Sequence, residues 1–338
     1  MHIVITGGAG FLGARLARTL LQQGRLALDG QPARAIERIT LADRMPAPAD
    51  LAADPRIAQA TGDLNQQLAD AGAAFWAEAD AVFHLAAAVS GECEADFDLG
   101  MRSNFAATHA LLERLRAAGT RPVLVFSSSL AVFGAAPGQP LPPVIEDDTL
   151  PTPQTSYGIQ KFIGEQLVAD YTRKGFVRGR SVRLMTVSVR PGRPNGAASG
   201  FFSGMIREPL AGLRAPCPVP DDTPVALASP ARTVEGIVRA AEASEAEWGP
   251  RTALNLPSLA TTVGEMAAAL GRVAGPAALA LLDRTPDPAI MRIVQTWPGR
   301  FDARRAAALG LQADASFDDA IRAYVRENPD AVQLPVRA

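Results

Sequence analysis

Two side chains that are scarce in this sequence, Tyr157 and Lys161, lie four positions apart and form a candidate proton-transfer pair. The 338 residues include only three tyrosines and two lysines, so this spacing would arise by chance in about one such sequence in fifty. Residues four apart project from one face of a helix. A phenol has a pKa near ~10, but a neighbouring ammonium stabilises the phenolate and lowers that pKa. We therefore expect Tyr157 to take a proton from a hydroxyl group, with Lys161 tuning it.

Three consecutive serines, 127 to 129, end a strand-like apolar run that begins at Val123. Open α/β sheets bind ligands at the carboxyl ends of their strands, so a ligand site is expected here. We expect Ser129 to hydrogen-bond the reacting oxygen, with Ser128 as the next candidate and a cap of the following loop as the structural alternative. The sequence has three histidines and lacks the G-x-S-x-G pattern, which disfavours a serine hydrolase.

A glycine-rich turn, TGGAGFLG at residues 6–13, follows the first predicted strand and leads into a predicted helix. Glycine permits the tight turn and lets a pyrophosphate approach the N–H groups at the helix N-terminus, where the helix dipole favours anions. Strand, turn and helix together indicate a dinucleotide site. The residues expected to bind the dinucleotide here are Gly7, Gly10, Phe11, Leu12 and Gly13.

Asp43, just past the second main strand, is expected to accept hydrogen bonds from the adenosine ribose. It comes 30 positions after Gly13, beyond the usual spacing of about 20, so a helix cap or a solvated turn is the alternative. A carboxylate at this place repels a 2′-phosphate. We therefore expect NAD rather than NADP, although Arg44 is adjacent.

Residues after the third and fourth main strands complete the predicted nucleotide site. Asp63 and Leu64 are expected near the adenine, with a capped turn as an equal alternative for Asp63. Small residues at Ala86 and Ala87 would let the chain pass close to the cofactor. His84, which directly precedes this segment, is expected to be structural rather than catalytic.

Apolar runs alternate with helical patterns through the first half of the chain, which predicts parallel strands covered by helices on both faces. The expected fold is an α/β, Rossmann-type doubly wound parallel sheet with a smaller C-terminal substrate lobe. We assign residues 1–189 and about 233–257 to the NAD-binding domain, and 190–232 with 258–338 to the lobe. The predicted strands are 2–6, 39–42, 57–61, 81–85, 123–127, 181–189 and 252–256, and the main predicted helices are 12–23, 97–118 and 156–173.

Charge and composition exclude several classes of protein. The formal net charge is −2, from 33 basic and 35 acidic residues, which gives no footprint for nucleic acid or an anionic membrane. Cys93 and Cys217 are too far apart for a C-x-x-C motif, so we expect neither a disulfide framework nor a metal site. We see no leader peptide, and the apolar stretch 263–282 is interrupted by charged residues, glycine and proline. The expected location is the cytoplasm.

Together these motifs resemble the extended short-chain dehydrogenase/reductase superfamily over nearly the whole chain. The resemblance implies NAD(P) on the Rossmann domain, whose cationic nicotinamide ring further favours the phenolate, and a catalytic trio of Ser129, Tyr157 and Lys161. It places Tyr157, Lys161 and Pro191 beside the cofactor and makes Asn104 an organiser of that side, with a plain buried asparagine as the alternative. The motifs that carry the resemblance are 6–13, HLAA at 84–87, Asn104, the triple serine, Tyr157-x-x-x-Lys161 and RPG at 190–192.

Residues 190–210 and 229–232 resemble the branch of this superfamily that oxidises the C2 hydroxyl of a four-carbon sugar acid, D-erythronate, with NAD. A small acid needs a guanidinium together with hydroxyl or amide donors. Asn195 and Ser199 could instead cap the helix near Gly200, and Arg232 could be a solvated surface arginine. The substrate contacts that we expect are Ser90, Ser129, Tyr157, Asn195, Ser199 and Arg232.

Three functions compete on this basis. Dehydratases of the superfamily carry an acidic pair where this chain has Leu130 and Ala131, so dehydration is disfavoured. The leading hypothesis is an NAD-dependent dehydrogenase that forms 2-dehydro-D-erythronate, and the alternative is a nucleotide-sugar 4-epimerase with tightly bound NAD. A non-catalytic NAD sensor is the third, and the intact Tyr157 and Lys161 argue against it. We also expect a homodimer, formed through the helix 106–118 and the helix of Tyr157.

Overall fold

The structure is a computed structural model that describes residues 1–192 and 197–336. The strands are β1 (His2–Thr6), β2 (Arg25–Leu26), β3 (Arg34–Ala35), β4 (Arg38–Asp43), β5 (Ile57–Thr61), β6 (Ala81–His84), β7 (Val123–Ser129), β8 (Arg178–Leu184), β9 (Thr186–Val187), β10 (Ala215–Pro216), β11 (Pro224–Ala228), β12 (Leu254–Asn255), β13 (Leu259–Thr262) and β14 (Leu282–Asp283).

The α-helices of the described residues are α1 (Phe11–Gln23), α2 (Ala49–Ala52), α3 (Leu64–Ala69), α4 (Ser90–Ala95), α5 (Phe97–Gly100), α6 (Ala107–Ala118), α7 (Ser156–Arg173), α8 (Gly200–Leu210), α9 (Pro230–Glu242), α10 (Glu245–Trp248), α11 (Val263–Leu279), α12 (Pro288–Val294), α13 (Arg304–Ala308) and α14 (Phe317–Glu327). A π-helix at Met101–Ala106 joins α5 to α6. Within the described ranges, none of these helices is both long and apolar enough to span a bilayer.

A seven-stranded sheet forms the centre of the molecule, in the order β12-β8-β7-β6-β1-β4-β5. Every neighbouring pair in it is parallel. Helices cover both faces, so inner strands such as β1 and β7 are buried over almost their whole length and contain the apolar runs 3–5 and 123–126. The predicted doubly wound sheet is confirmed. Its order reverses beside β1, and the crevice outside the carboxyl ends at that point is where such sheets bind ligands.

The predicted strand 181–189 is wrong in its extent. The chain leaves the central sheet after Leu184, and β9 pairs instead with β11 in a three-stranded sheet that also contains β13. Between the two strands, Met185 is buried in a small cluster with Leu130, Ala226 and Ala228. The strand-like sequence SVRLMTVSV at 181–189 does not show where the chain passes from one sheet to the other, because β-branched residues continue on both sides of Met185.

The described residues form three large apolar clusters, one of which packs α6 and α7 against the central sheet. The second packs α1 and α9 against the central sheet, and the third packs α8, α11 and α14 together. Ala306, Leu309 and Leu311 belong to the second cluster, although their stretch of chain lies in the predicted substrate lobe. The division into an NAD-binding domain and a substrate lobe stays a prediction.

Candidate active site

A cleft of about 530 Å³ lies at the carboxyl ends of the central strands. It is bordered by the glycine turn, the segment after β6, the end of β7, the first turns of α7 and the residues just before α8. Most of the residues predicted for the cofactor and the substrate meet here. The predicted residues that line it are Gly7, Gly10, Phe11, Leu12, Gly13, Asp43, Asp63, Leu64, Ala86, Ser90, Ser129, Tyr157, Lys161 and Ser199.

Lys161 is held inside the protein beside Tyr157. Its side chain is 3% exposed, and its Nζ donates a hydrogen bond of 2.8 Å to the backbone oxygen of Ser127. The ammonium also lies 4.9 Å from the ring centre of Phe126 and 5.7 Å from that of Tyr157. Both catalytic candidates project from α7, whose first turn is capped by the hydroxyl of Thr155. The amine is therefore fixed between the catalytic helix and the end of β7.

The surrounding residues of the chain do not lower the pKa of the Tyr157 phenol as expected. Burial raises the pKa of Tyr157 to about 12, against the opposing effects of a hydrogen bond from Ser129 and the charge of Arg190. Burial also lowers the pKa of Lys161 to about 8, although the negative charge of Glu165 favours its ammonium form. Burial of the phenolate outweighs the effects of Ser129 and Arg190, so a further positive charge is needed to ionise the phenol near neutral pH.

Ser129 caps the segment after β7, which is the structural alternative considered for it, and its hydrogen bond to the reacting oxygen stays a prediction. Its hydroxyl accepts a hydrogen bond of 3.2 Å from Ala131 N–H, which caps the short 3₁₀-helix Leu130–Val132, and it also hydrogen-bonds Tyr157. The next candidate, Ser128, instead donates its hydroxyl proton to the buried carboxylate of Glu165. Ser129 is thus the hydroxyl that is paired with the phenol.

The glycine turn has the shape that a dinucleotide requires. Gly7 has a φ of +68°, and a Cβ there would lie 2.8 Å from the backbone nitrogen of Ala86. A Cβ on Gly13 would lie 2.1 Å from the oxygen of Gly7. Gly10 precedes α1 and has no side chain to cap it, so N–H groups of the first helical turn remain for an anion. These residues fit a pyrophosphate.

Asp43 and Asp63 line the cleft and also organise the backbone around it. Asp43 accepts hydrogen bonds of 3.0 Å each from the N–H groups of Ala9 and Met45. A carboxylate has about four acceptor sites, so capacity remains for ribose hydroxyls. Asp63 caps α3 by accepting from two backbone N–H groups, which agrees with the capped-turn alternative.

Arg190 is a cleft residue to which the sequence reasoning gave no role. It lines the cleft together with Tyr157, and its charge favours the phenolate. Its backbone is fixed on both sides, because its N–H donates to Ser203 Oγ at 3.0 Å and its carbonyl accepts from Arg207 at 2.8 Å. The signal was present as the first residue of the RPG motif, directly after an apolar run.

The remaining predicted substrate residues have mixed outcomes. Ser90 is buried and accepts a hydrogen bond of 3.1 Å from Ala198 N–H across the cleft. Within the described residues, Ser199 precedes α8 without making a side-chain capping bond. Arg232 is not brought to the cleft, since its guanidinium pairs with Glu235 at 2.8 Å. Asn195 lies outside the described residues.

Pro191, predicted at the cofactor, follows Arg190 but is outside the set of described residues that line the cleft. Trp297, from the C-terminal part of the chain, lines the cleft and was not predicted. It follows α12 and packs against the cluster of Met185 and Leu130. Trp297 lies 140 positions after Tyr157, so no helical or strand-like spacing in the sequence connects it with the cleft.

Comparison with known proteins gives a consistent result. A model of the NAD dependent epimerase/dehydratase family matches residues 3–225. A D-erythronate dehydrogenase from Cupriavidus necator is 53% identical over 327 residues, which are 97% of this chain and 98% of the relative. A D-erythronate dehydrogenase from Haemophilus influenzae is 40% identical over 332 residues, or 96% of this chain and 99% of the relative.

Solved structures share the fold over nearly the whole chain. A nucleoside-diphosphate-sugar epimerase from Agrobacterium tumefaciens superposes with a TM-score of 0.86 and 41% identity, covering 98% of this chain and 95% of that one. An L-threonine 3-dehydrogenase from Trypanosoma brucei has a TM-score of 0.82 with 98% of both chains covered, and its 23% identity shows the fold alone. The resemblance to extended short-chain dehydrogenases is confirmed.

Proposed function

The chain belongs to the NAD dependent epimerase/dehydratase family, and from this premise we propose that it oxidises the C2 hydroxyl of D-erythronate to 2-dehydro-D-erythronate with NAD. The observation that carries this proposal is the 53% identity, end to end, with a D-erythronate dehydrogenase. The cleft supports it, because a hydroxyl-paired phenol and a guanidinium lie in the same cleft as the glycine turn.

The residues of the chain can divide the work of this oxidation. With substrate bound, Ser129 donates its single hydroxyl proton to the C2 oxygen instead of to Tyr157, and Tyr157 Oη takes the substrate's hydroxyl proton as the C2–H bond breaks. Lys161 keeps the phenol and the end of β7 in register through its bond to Ser127. When bound, NAD supplies the hydride acceptor and a positive charge that favours the phenolate.

Arg190 is the residue that we assign to the substrate carboxylate. Charge-assisted hydrogen bonds from a guanidinium to a carboxylate are stronger than neutral ones and can be bidentate. Burial lowers the pKa of Arg190, and Arg207 adds to this effect. An anion beside it would relieve that repulsion. We therefore assign to Arg190 the role that the sequence reasoning gave to Arg232.

NAD is proposed as the cofactor in preference to NADP. The Asp43 carboxylate borders the cleft beside the glycine turn and would repel a 2′-phosphate. We expect kcat/KM to be higher with NAD than with NADP, and Asp43→Ser to reduce the difference. If the wild type and Asp43→Ser prefer NAD over NADP to the same extent, Asp43 does not select the cofactor.

The alternative of a nucleotide-sugar 4-epimerase is favoured by one observation, the epimerase from Agrobacterium tumefaciens at 41% identity. Incubation with NAD and either D-erythronate or a UDP-sugar separates the two functions. One NADH per D-erythronate consumed supports the dehydrogenase. Inversion at C4 of the UDP-sugar without net NADH would support the epimerase and overturn our proposal.

We also propose a homodimer through α6 and α7, the two helices expected from the sequence, and we add to this surface α5, which contacts α7. Phe97 and Ile159 are large apolar residues that are 61% and 47% exposed on these helices. An exposed apolar pair on adjoining helices is typical of a protein interface. Sedimentation should give twice the mass of one chain, and Ile159→Asp should give the mass of one chain. A cytoplasmic location stays a prediction.

A further inference from the structure

A chain of buried hydrogen bonds surrounds the segment 85–88, which follows β6 and lines the cleft. Its central member is His84, the last residue of β6. The imidazole lies 2.7 Å from Thr6 Oγ1 through Nδ1 and 3.0 Å from Thr108 Oγ1 through Nε2. All three side chains are at most 2% exposed, so their polar atoms depend on one another for partners.

The direction of each hydrogen bond follows from counting protons. Thr108 has a single hydroxyl proton and donates it to the carbonyl oxygen of Asn104 at 2.6 Å. The hydroxyl of Thr108 must therefore accept from His84, so Nε2 carries the hydrogen. In the neutral ring Nδ1 then accepts, and the hydroxyl of Thr6 donates to it. Thr6 Oγ1 in turn accepts from Ala86 N–H at 3.2 Å.

Both ends of this chain hold the same short segment. One end is Ala86 N–H, and the other is Asn104, whose side chain accepts from Ala88 N–H at 2.8 Å and donates to Ala88 C=O at 3.1 Å. Asn104 also donates to Gln160 Oε1 at 2.8 Å, and Gln160 directly precedes Lys161 on α7. Asn104 itself lies in the π-helix, a form of helix that is frequent at functional sites.

We propose that His84, as the neutral tautomer with hydrogen on Nε2, is a positioning residue that fixes the segment 85–88 for NAD and links it to the catalytic helix. The proposal rests on the NAD-binding function proposed above. A protonated ring would make Nδ1 a donor, and the hydroxyl proton of Thr6 would then have no acceptor among the hydrogen bonds of the described residues. Burial, followed by the charge of Lys161, lowers the pKa of His84 to about 3.

The first test is the ¹⁵N NMR spectrum of the imidazole rings, which distinguishes a protonated from an unprotonated ring nitrogen. The sequence has three histidines, and His84→Gln assigns the signals of His84. We expect Nε2 to be protonated and Nδ1 unprotonated between pH 5 and 8. Protonation of Nδ1 in the neutral ring would overturn the proposal. This readout does not depend on the cofactor or the substrate, so it stands even if the proposed function fails.

The second test is NAD affinity by calorimetry in two variants of Thr108. Thr108→Val removes the acceptor for His84, and we expect the dissociation constant for NAD to rise about five- to tenfold, the effect of one lost buried hydrogen bond. Thr108→Ser keeps the hydroxyl and should bind NAD as the wild type does. Equal affinity in Thr108→Val and the wild type would overturn the proposal, and so would equal weakening in both variants.

His2 provides the control for general destabilisation. It is a buried histidine on β1 that also bonds a threonine, Thr40, at 2.8 Å, but at the amino end of the sheet, away from the cleft. We expect His84→Leu to raise the NAD dissociation constant and the KM for NAD more than it lowers kcat at saturating NAD. His2→Leu should leave both NAD constants unchanged, and an equal loss in the two variants would contradict a positioning role.

Discussion

The buried ion pair of Glu165 and Arg183 gives the strongest quantitative prediction for stability. Glu165 lies one turn after Lys161 on α7, and Arg183 lies on the neighbouring strand β8. Arg183 donates from Nε and Nη2 to the two carboxylate oxygens at 2.9 and 2.8 Å. The two residues are 2% and 4% exposed, and the carboxylate also accepts from Ser128 at the cleft. The pair therefore fastens the catalytic helix to the sheet.

Glu165→Gln would leave the Arg183 charge buried without its counter-ion. Among the hydrogen bonds of the described residues, the other side-chain partner of Arg183 is the uncharged Asn255, at 3.3 Å. Removing one partner of a buried pair costs about 3–5 kcal/mol. That is a large part of a typical free energy of unfolding of about 5–15 kcal/mol. We expect a loss of this size in urea unfolding followed by circular dichroism.

Two controls make the result decisive. Asp50→Asn breaks the exposed ion pair of Arg18 and Asp50, whose side chains are 48% and 56% exposed respectively. It should lower the free energy of unfolding by at most about 1 kcal/mol. The double variant Glu165→Leu with Arg183→Met removes both charges, and it should recover most of the loss because no ion is left unpaired. If Glu165→Gln costs no more than Asp50→Asn, the burial of this pair does not act as we describe.

Three further variants test the cleft and its surroundings. Gly13→Ala places a Cβ 2.1 Å from a backbone oxygen, so NAD binding measured by calorimetry should weaken at least about tenfold. The control Gly24→Ala, whose Cβ meets nothing within 4 Å, should bind NAD as the wild type does. Similar NAD affinities in the two variants would contradict the tight turn. Arg190→Met should raise the KM for D-erythronate about 10- to 100-fold, as expected for the loss of charge-assisted hydrogen bonds. Arg232→Met should leave this KM unchanged. The reverse result would assign the substrate carboxylate to Arg232, as the sequence suggested. The native pKa of His84, about 3, is below the unfolded value near ~6.5, so the unfolded state binds more protons between these values and stability falls as pH falls through that window. His84→Gln should reduce the slope of unfolding free energy against pH by up to about 1.4 kcal/mol per unit between pH 6 and 4.5, and identical slopes would contradict the buried neutral ring.

Local patterns were sufficient for most strands of the central sheet and for the glycine turn at the cleft. Glycines 7, 10 and 13 have a conformational reason that is independent of the rest of the chain, and the structure brings them to the cleft. The four-residue spacing of Tyr157 and Lys161 puts both side chains on one face of a helix. Once the helix was predicted correctly, their position side by side followed. Such features depend on neighbours in sequence, which a single chain displays.

The substrate end could not be predicted in the same way, because its residues meet through tertiary contacts. Arg190 reaches the cleft because the chain leaves the central sheet after β8, a change that the uninterrupted strand-like sequence 181–189 does not reveal. Arg232 was chosen for its charge, but its own helix offers Glu235 three positions later as a partner. The raised pKa of Tyr157 likewise depends on burial by distant segments, which spacing along one helix does not report.

The most direct test of the central claim is the rate of NADH formation from D-erythronate in Tyr157→Phe, with NAD affinity measured on the same protein. The variant removes the phenolic oxygen and keeps the ring. We predict that NAD affinity stays within about twofold of the wild type, while turnover falls by about 10²–10⁴-fold, the contribution of a general base. Turnover that is unchanged in this variant would contradict the account.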